Sequence, residues 1–344
     1  MLPGGPDARP GPFPMTSAPL VSVIVATRNR ADLLPVALRS IRDQDMGELE
    51  VLVVDDGSNA ATLATYDSIW RDEALDERFQ LLGGQAPDLP GSGPAAARNR
   101  GIAAARGRWI AFCDDDDHWC VNDHLSTAMK ALEAADADLF IANMRGEANG
   151  RVTIPDWFPG CHSLTRGRCV LDAPAVHEVA LRDLMKALRH HYAHPNGMVV
   201  SRDLLNAVGG FWDRLRHAED INLVLRLADA ATGILYRADP VVGFNVSHIE
   251  KNYTSVSRME HRLILALAAE HAEVCSTQRS IHRSARAISA WSYRNVSEEL
   301  AALGRIGDAL GYALRSWTTR PTPGTTILPI RLLSQWLLQR NGRG

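Results

Sequence analysis

Three apolar, β-branched runs, each closed by polar residues, constrain the fold of this chain more than any other feature. They are LVSVIVATRNR at residues 20–30, LEVLVVDDGS at 49–58 and RWIAFCDDDD at 108–117. Such runs are typical of strands buried on both faces of a sheet. Segments with apolar residues at helical spacing lie between them, so the sequence predicts a parallel sheet whose crossovers are helices.

The polar residues that close these runs form three clusters. The carboxyl ends of parallel strands meet at one edge of a sheet, where ligands bind. We therefore expect the clusters to share one site, although they are far apart in the sequence. They are Thr27, Arg28 and Asn29 with Arg30 beside them, then Asp55 and Asp56, and then Asp114 to Asp117.

Four consecutive aspartates at 114–117 make the third cluster unusual. Most charged runs are solvated turns, because charged side chains are seldom buried. Here a predicted buried strand precedes the run and Trp119 closes it. This context favours a site for a hard divalent cation held by oxygen ligands, with positions left open for phosphate oxygens.

Two further groups suit a nucleotide. Asp55 and Asp56, followed by a Gly-Ser turn, can accept hydrogen bonds from a base or a ribose. Arg98 and Arg100, on the next predicted helix, suit bidentate contact with a diphosphate, and a solvated helix face is their alternative. The sequence has no G-x-x-x-x-G-K-[ST] motif and no G-x-G-x-x-G after the first strand. It therefore differs from P-loop hydrolases and Rossmann dehydrogenases.

Composition argues against several other classes. A net charge of −3 is not that of a general nucleic-acid binder. The five cysteines include no Cys-x-x-Cys pair, so they predict neither a disulfide framework nor a zinc site, and free thiols indicate a reducing cytoplasm. The sequence contains no run of ~18 apolar residues, the length that would predict a membrane span. Residues 1–18, rich in Pro and Gly, predict a disordered tail rather than a signal peptide.

A second group of candidates lies after residue 185. Glu219 and Asp220 open a predicted helix, where acidic residues are favoured by the helix dipole; alternatively, Asp220 is a general base. His248 follows an apolar strand and is either a metal ligand or a structural histidine. The segment HHYAH at 190–194 is interpreted as a helix end rather than a metal cluster.

Taken together, these segments resemble the family 2 glycosyltransferases of the GT-A fold. The resemblance runs from about residue 20 to 250, in the family's order. It implies a Rossmann-like, mostly parallel sheet flanked by helices, a nucleotide-diphospho-sugar donor (most often a UDP-sugar), Mn²⁺ or Mg²⁺, and inversion at the anomeric carbon. The matching segments are VSVIVATRNR, EVLVVDDGS, AAARNRGIAAARGRWIAFCDDDDHW, NGMVVSRDLLNAVGGFWDRL and HAEDINLVLRLADA.

The resemblance also implies roles for single residues. The family's D-x-D motif falls on Asp114-Asp115-Asp116, so Asp116 is the expected metal ligand, with Asp117 and His248 as further candidates. Asp114 or Asp115 is expected to contact the ribose or the sugar. The E-D motif falls on Glu219 and Asp220, which makes Asp220 the expected base. The nucleotide pocket is expected to contain Thr27, Asn29, Arg30, Asp55 or Asp56, Arg98 and Arg100.

The acceptor is less defined than the donor. We expect a hydroxyl of a glycan, a lipid-linked molecule or a natural product, bound by residues 145–195, which include Trp157 and Phe158. Two alternatives remain open on the residues: a nucleotidyltransferase and a non-catalytic sugar-nucleotide binder. The first is expected to carry a Gly-rich loop after the first strand, where this chain has ATRNRADLL.

The last part of the chain differs in charge from the rest. Residues 276–344 contain ten Arg, no Lys and three acidic residues, a net charge of +7, whereas the first 275 residues carry −10. The family resemblance ends near residue 255 and therefore implies a GT-A domain at 19–255, and the charge predicts an Arg-rich helical extension at 256–344. Its last segment, ILPIRLLSQWLLQR, predicts a basic amphipathic helix that lies on an anionic membrane surface, packs on the catalytic domain or forms a dimer contact. The predicted location is the cytoplasm, at the inner face of the membrane in the first case.

Overall fold

The computed structural model describes residues 18–83, 91–188, 193–248 and 257–341. These ranges contain eleven strands in one sheet, with helices packed around it. The strands are β1 (Val21–Thr27), β2 (Leu49–Asp55), β3 (Phe79–Gly83), β4 (Trp109–Phe112), β5 (His118–Trp119), β6 (Leu139–Ala148), β7 (Arg151–Ile154), β8 (Cys169–Asp172), β9 (Ala175–Glu178), β10 (Met198–Ser201) and β11 (Ile234–Asn245).

The same ranges contain twelve α-helices, and the last four come after β11 in the chain. The helices are α1 (Leu34–Arg42), α2 (Ala60–Leu63), α3 (Tyr66–Asp72), α4 (Pro94–Ala104), α5 (His124–Ala135), α6 (Leu181–Ala187), α7 (Arg202–Ala207), α8 (Glu219–Ala230), α9 (Arg258–Cys275), α10 (Arg279–Ala302), α11 (Ile306–Thr319) and α12 (Pro323–Asn341). Among the described residues, no helix is both long and apolar enough to cross a membrane.

The sheet has the order β3-β2-β1-β4-β10-β6-β11-β9-β8, with β5 paired to β11 and β7 to β6. The half formed by β3, β2, β1 and β4 is parallel throughout. This half carries the three polar clusters, so their strand ends lie along one edge as predicted. Strand β10 runs antiparallel to both of its neighbours, β4 and β6, which makes the sheet mixed. The predicted fold class, a GT-A-like sheet flanked by helices with further helices at the C-terminal end, is confirmed.

The core follows from the apolar patterns of the sequence. All residues of β2 and all but one of β1 are buried. Helix α4 packs closely on the sheet because its residues are small; a Cβ added at Gly101 would lie 2.6 Å from a methyl carbon of Ile24. One of the segments with helical spacing, residues 60–72, contains two helices, α2 and α3, rather than one. Between them the hydroxyl of Thr65 donates a hydrogen bond to the carbonyl of Thr62, a side-chain contact that competes with helical bonding.

The C-terminal helices have two different neighbours. Helix α9 and the start of α10 belong to the core of the sheet domain, through Leu265, Ala268, Ala272 and Ile281. The end of α10, together with α11 and α12, forms a second, smaller core. The predicted domain boundary at 255–256 and nearly all of the predicted tail at 1–18 lie outside the described residues.

Candidate active site

A cleft of about 670 Å³ lies at the carboxyl ends of β1, β2 and β4. Its walls include residues from all three predicted clusters, from the loop before α8 and from α9. The polar and aromatic residues that line it are Thr27, Arg28, Arg30, Asp56, Arg98, Asp114, Asp115, Asp116, His194, Arg216, His217, Phe244, Asn245 and Glu260.

The two aspartates after β2 have different surroundings. Asp55 is 1% exposed and accepts hydrogen bonds from the backbone N–H of Gly57 and Ser58 and from the hydroxyl of Tyr66. Its carboxylate therefore holds the turn. Asp56 lines the cleft and accepts from the backbone N–H of Ser92 at 3.0 Å. Of the two candidates for contact with a base, Asp56 is the one that lines the cleft, although its side chain is largely buried.

Arg98 joins the two acidic motifs. Its guanidinium lies 2.6 Å from Asp114 and 3.1 Å from Glu219, and only 8% of the side chain is exposed. Arg100 lies 3.2 Å from Asp56 and donates to the carbonyl of Asp55. Both arginines, predicted to face a diphosphate, thus contact carboxylates in the structure, because buried carboxylates require compensating charge.

The four aspartates do not share one environment. Arg30 Nη1 lies 2.9 Å from both Asp115 and Asp116. Asp117 is 2% exposed and accepts from the side-chain amide of Asn196 and the backbone N–H of Asn245. Its oxygens therefore support neighbouring segments, whereas the other three aspartates line the cleft.

Burial and mutual repulsion shift the pKa values within the run. Burial raises the pKa of Asp115 to about 6, and Arg30 only partly opposes this shift. Burial also raises the pKa of Asp117 well above its usual range, with the charges of Asp116 and Asp114 adding to it. For Asp114, burial acts in the same direction, but the positive charges of Arg98 and His194 outweigh it and hold the pKa at about 2.

We expect the metal-free protein to lose stability as the pH rises through the range in which Asp115 ionises. The pKa of Asp115 is about 6 when folded against an ordinary 3.8, so the folded state binds more protons between these values and stability falls as pH rises. The shift corresponds to at most about 3 kcal/mol. Asp115→Asn should flatten the change in melting temperature between about pH 4 and pH 6 in chelator. Asp213→Asn, an exposed position, is the control; equal slopes for both variants would contradict the assignment.

His194 is a site residue that the sequence analysis missed. Its Nε2 lies 3.7 Å from an oxygen of Asp114, and Asp114, Asp117 and His194 offer ligand atoms within 4.8 Å of one another. The interpretation of His194 as part of a helix end is wrong, because its backbone is extended before the short helix Pro195–Gly197. That turn leads into β10, which enters the sheet beside β4, so the signal was the His-Pro-Asn-Gly turn ahead of a strand. His190 and His191 lie outside the described residues.

Glu219 and Asp220 begin α8 after Ala218, which has a left-handed backbone with φ 60°. Glu219 is buried against Arg98; burial raises the pKa of Glu219, which Arg98 opposes. Asp220 is half-buried, and one of its oxygens accepts from the N–H of Ile221. His217, just before this pair, lines the cleft.

Three predicted residues remain to be placed: Asn29, Thr27 and His248. Asn29, exposed and with φ 54°, accepts from the backbone N–H of Asn59, so it ties the loop after β1 to the loop after β2. Thr27 is buried at the cleft wall. The backbone of His248 ends the short helix Val246–His248, and its side chain lies outside what the structure describes, so its role as a metal ligand stays a prediction.

Comparison with known proteins identifies the family. The sequence model for "Glycosyl transferase family 2" matches residues 22–157. Over 252 residues the chain is 31% identical to the succinoglycan biosynthesis protein ExoO of Rhizobium meliloti, a match that covers 73% of this chain and 67% of ExoO. The chain belongs to glycosyltransferase family 2. The predicted family and the enzyme class, a sugar transferase, are thereby confirmed.

Other relatives match this family 2 enzyme over shorter segments. It is 35% identical over 122 residues to the GalNAc(5)-diNAcBac-PP-undecaprenol β-1,3-glucosyltransferase of Campylobacter jejuni, covering 36% of this chain and 37% of that enzyme. The chain therefore spans little more than a third of that relative's length. Because such relatives are described as glycosyltransferases, sugar transfer is favoured over nucleotidyl transfer and over non-catalytic binding.

Solved structures share the fold. S. aureus TarS (residues 1–349) in complex with UDP-GlcNAc has a TM-score of 0.63 at 21% identity, covering 91% of this chain and 82% of that one. The mannosyltransferase PcManGT of Pyrobaculum calidifontis, in complex with GDP-Man and Mn²⁺, has a TM-score of 0.55 at 20% identity, covering 92% and 85%. Because these sequence identities are low, the similarity supports a shared fold only.

Proposed function

We propose that this enzyme transfers a sugar from a nucleotide-diphospho-sugar to a hydroxyl acceptor, with inversion and with a divalent metal. The observation that carries the proposal is the single cleft that brings together Asp56, the aspartates 114–116 and the loop before Asp220. For the donor we propose a UDP-sugar; TarS with UDP-GlcNAc supports it, and PcManGT with GDP-Man makes a GDP-sugar the first alternative. The acceptors proposed are a glycan, a lipid-linked molecule or a natural product.

The side chains of the cleft fit a hard divalent cation. Asp114, Asp116 and His194 line the cleft, and carboxylate oxygens are the ligands that suit Mg²⁺ and Mn²⁺. We assign Asp116 and Asp114 as the protein ligands, with His194 beside them. A bound cation would neutralise the charge that develops on the departing diphosphate.

The other residues have distinct proposed tasks. Asp56 hydrogen-bonds the base or ribose, and Arg30 and Arg216 bring positive charge to the diphosphate. Asp220 accepts the proton of the acceptor hydroxyl as that oxygen attacks the anomeric carbon from the face opposite the nucleotide. Phe244 lines the cleft, with its ring 4.8 Å from Trp157 and 5.6 Å from His194, and offers an apolar surface to a sugar ring. Phe158 is 1% exposed and therefore belongs to the core rather than to the acceptor pocket.

A panel of sugar nucleotides tests the proposal. Thermal shift assays with Mn²⁺ should find one combination of base and sugar that raises the melting temperature of the protein more than the corresponding nucleotide diphosphate does. Metal-dependent release of that diphosphate, first with water and then with candidate acceptors, should follow for the same donor. Stabilisation by nucleotide triphosphates alone, with pyrophosphate release, would instead indicate nucleotidyl transfer.

Asp116→Ala is expected to abolish the metal dependence of donor binding. The carboxylate of Asp116 lines the cleft, where it is the proposed metal ligand. Loss of a residue that only supports a metal ligand weakens metal binding by about 10–100-fold, so loss of the ligand itself should weaken it at least as much. Calorimetry of donor binding with Mn²⁺ and with chelator should show a difference for the unaltered enzyme and none for the variant. Asp117→Asn is the matched neighbour, because Asp117 contacts Asn196 and Asn245; retained metal dependence in Asp116→Ala with loss in Asp117→Asn would reverse the assignment.

A further inference from the structure

Helix α12 is apolar on two opposite sides. Its inner side, Leu328, Leu332 and Trp336, packs on α10 and α11 in the second core. Its outer side carries large apolar residues that are 44–72% exposed, although a helix with apolar residues all round is normally buried. The structure therefore corrects the prediction of an amphipathic helix. One apolar face of α12 packs within the extension, and a second apolar face remains exposed. This outer face consists of Ile327, Ile330, Leu333, Leu337 and Leu338.

The charged residues of the segment that contains the outer face have one sign. Between residues 309 and 341 the chain contains four Arg and no Asp, Glu or Lys. Arg331 lies on the outer side of α12 itself, and Arg320 lies just before the helix; both are exposed. Within the described ranges, neither guanidinium is within ion-pair distance of a carboxylate. Exposed apolar side chains flanked by arginines are the pattern of helices that lie in the headgroup region of a bilayer.

We propose that the outer face of α12 binds the surface of an anionic lipid membrane. Apolar side chains would enter the boundary between headgroups and acyl chains, and Arg320 and Arg331 would contact lipid phosphates. A second copy of the chain is the other occupant to consider. A two-fold contact places the same patch against itself, which would bring the arginines of both copies together without an acidic residue of this segment to pair with them.

Co-sedimentation of the full chain with vesicles tests the proposal. Vesicles of phosphatidylcholine containing phosphatidylglycerol should bind the protein, and vesicles of phosphatidylcholine alone should bind it much more weakly. Ile330→Gln/Leu338→Gln should reduce binding at least about tenfold, since two apolar side chains no longer leave water. Arg320→Gln/Arg331→Gln should reduce it by roughly fivefold for each charge at low salt, and high salt should remove this difference.

The controls separate binding from misfolding and from self-association. Val274→Gln alters a residue that is 86% exposed on α9 and should bind vesicles as the unaltered chain does. Because all of these positions are exposed, the melting temperatures should remain equal. Absence of phosphatidylglycerol-dependent binding would overturn the proposal, as would a dimer, measured by light scattering, that Ile330→Gln/Leu338→Gln converts to monomer without any effect on vesicle binding. Neither measurement depends on sugar transfer.

Discussion

Replacing Asp220 with Asn is expected to reduce sugar transfer by about 10²–10⁴-fold while donor binding stays within a small factor of that of the unaltered enzyme. The amide has the shape of the carboxylate but cannot accept the proton of the attacking hydroxyl. Donor binding should persist, because Asp56 and the aspartates at 114–116, the proposed donor contacts, are separate from Asp220 in the sequence and remain unchanged. Turnover assays would test the loss of sugar transfer, and calorimetry on the same preparation would test whether donor affinity is retained.

Two neighbouring acids provide matched controls for Asp220→Asn. Asp213→Asn removes an exposed carboxylate from the same segment and should leave turnover unchanged. Glu219→Gln acts on the residue that contacts Arg98, so it should lower stability more than Asp220→Asn does, with a smaller loss of turnover per folded enzyme. Turnover near that of the unaltered enzyme in Asp220→Asn would contradict the proposed base, and a larger loss in Glu219→Gln would transfer the role to Glu219.

Arg98→Met is expected to lower the free energy of unfolding by about 3–5 kcal/mol, because it leaves two buried carboxylates without their shared cation. Arg98 lies between Asp114 and Glu219, at 2.6 Å and 3.1 Å, with all three side chains largely buried. Urea denaturation would measure the loss. Arg98→Lys keeps the charge but lacks the two separate nitrogens that reach Glu219 and Asp114, so its free energy of unfolding should fall between those of Arg98→Met and the unaltered protein.

Arg294→Met is the matched control for Arg98→Met. Arg294 forms an exposed ion pair with Glu298 at 2.9 Å, and exposed pairs contribute only about 0–1 kcal/mol. If Arg98→Met and Arg294→Met destabilise the protein equally, the link between the two acidic motifs has no energetic importance. If Arg98→Met yields no folded protein, Arg98→Lys still allows the comparison.

The sequence predicted those parts of the fold that depend on local pattern. The runs at β1, β2 and β4 specify buried strands, and the small residues of α4 specify a helix that packs closely on them. Strand β10 was not foreseen as an antiparallel member of the sheet, because its four residues carry no sign of direction. The break between α2 and α3, where Thr65 bonds to the carbonyl of Thr62, was also missed, because the helical spacing continues through residues 60–72.

The candidate site was predictable in position but not in its contacts. Strand-end polarity placed Asp56 and the aspartate run together, and family resemblance singled out Asp220. The sequence could not choose between Asp55 and Asp56, because both follow the same strand and only the turn and Tyr66 distinguish them. It also missed His194, which reaches Asp114 only because β10 lies beside β4.

The sequence by itself determined the buried strands, the edge at which the acidic clusters meet and the separate charge of the C-terminal helices, because these follow from periodicity and composition within short segments. Only the tertiary structure decided the partner of each charged group: Arg98 between two acidic motifs, Arg30 across Asp115 and Asp116, and Asp117 against Asn196 and Asn245. It also showed that α12 has a second apolar face. Such pairings depend on residues that are far apart in the chain, and a buried charge that lacks its partner is costly.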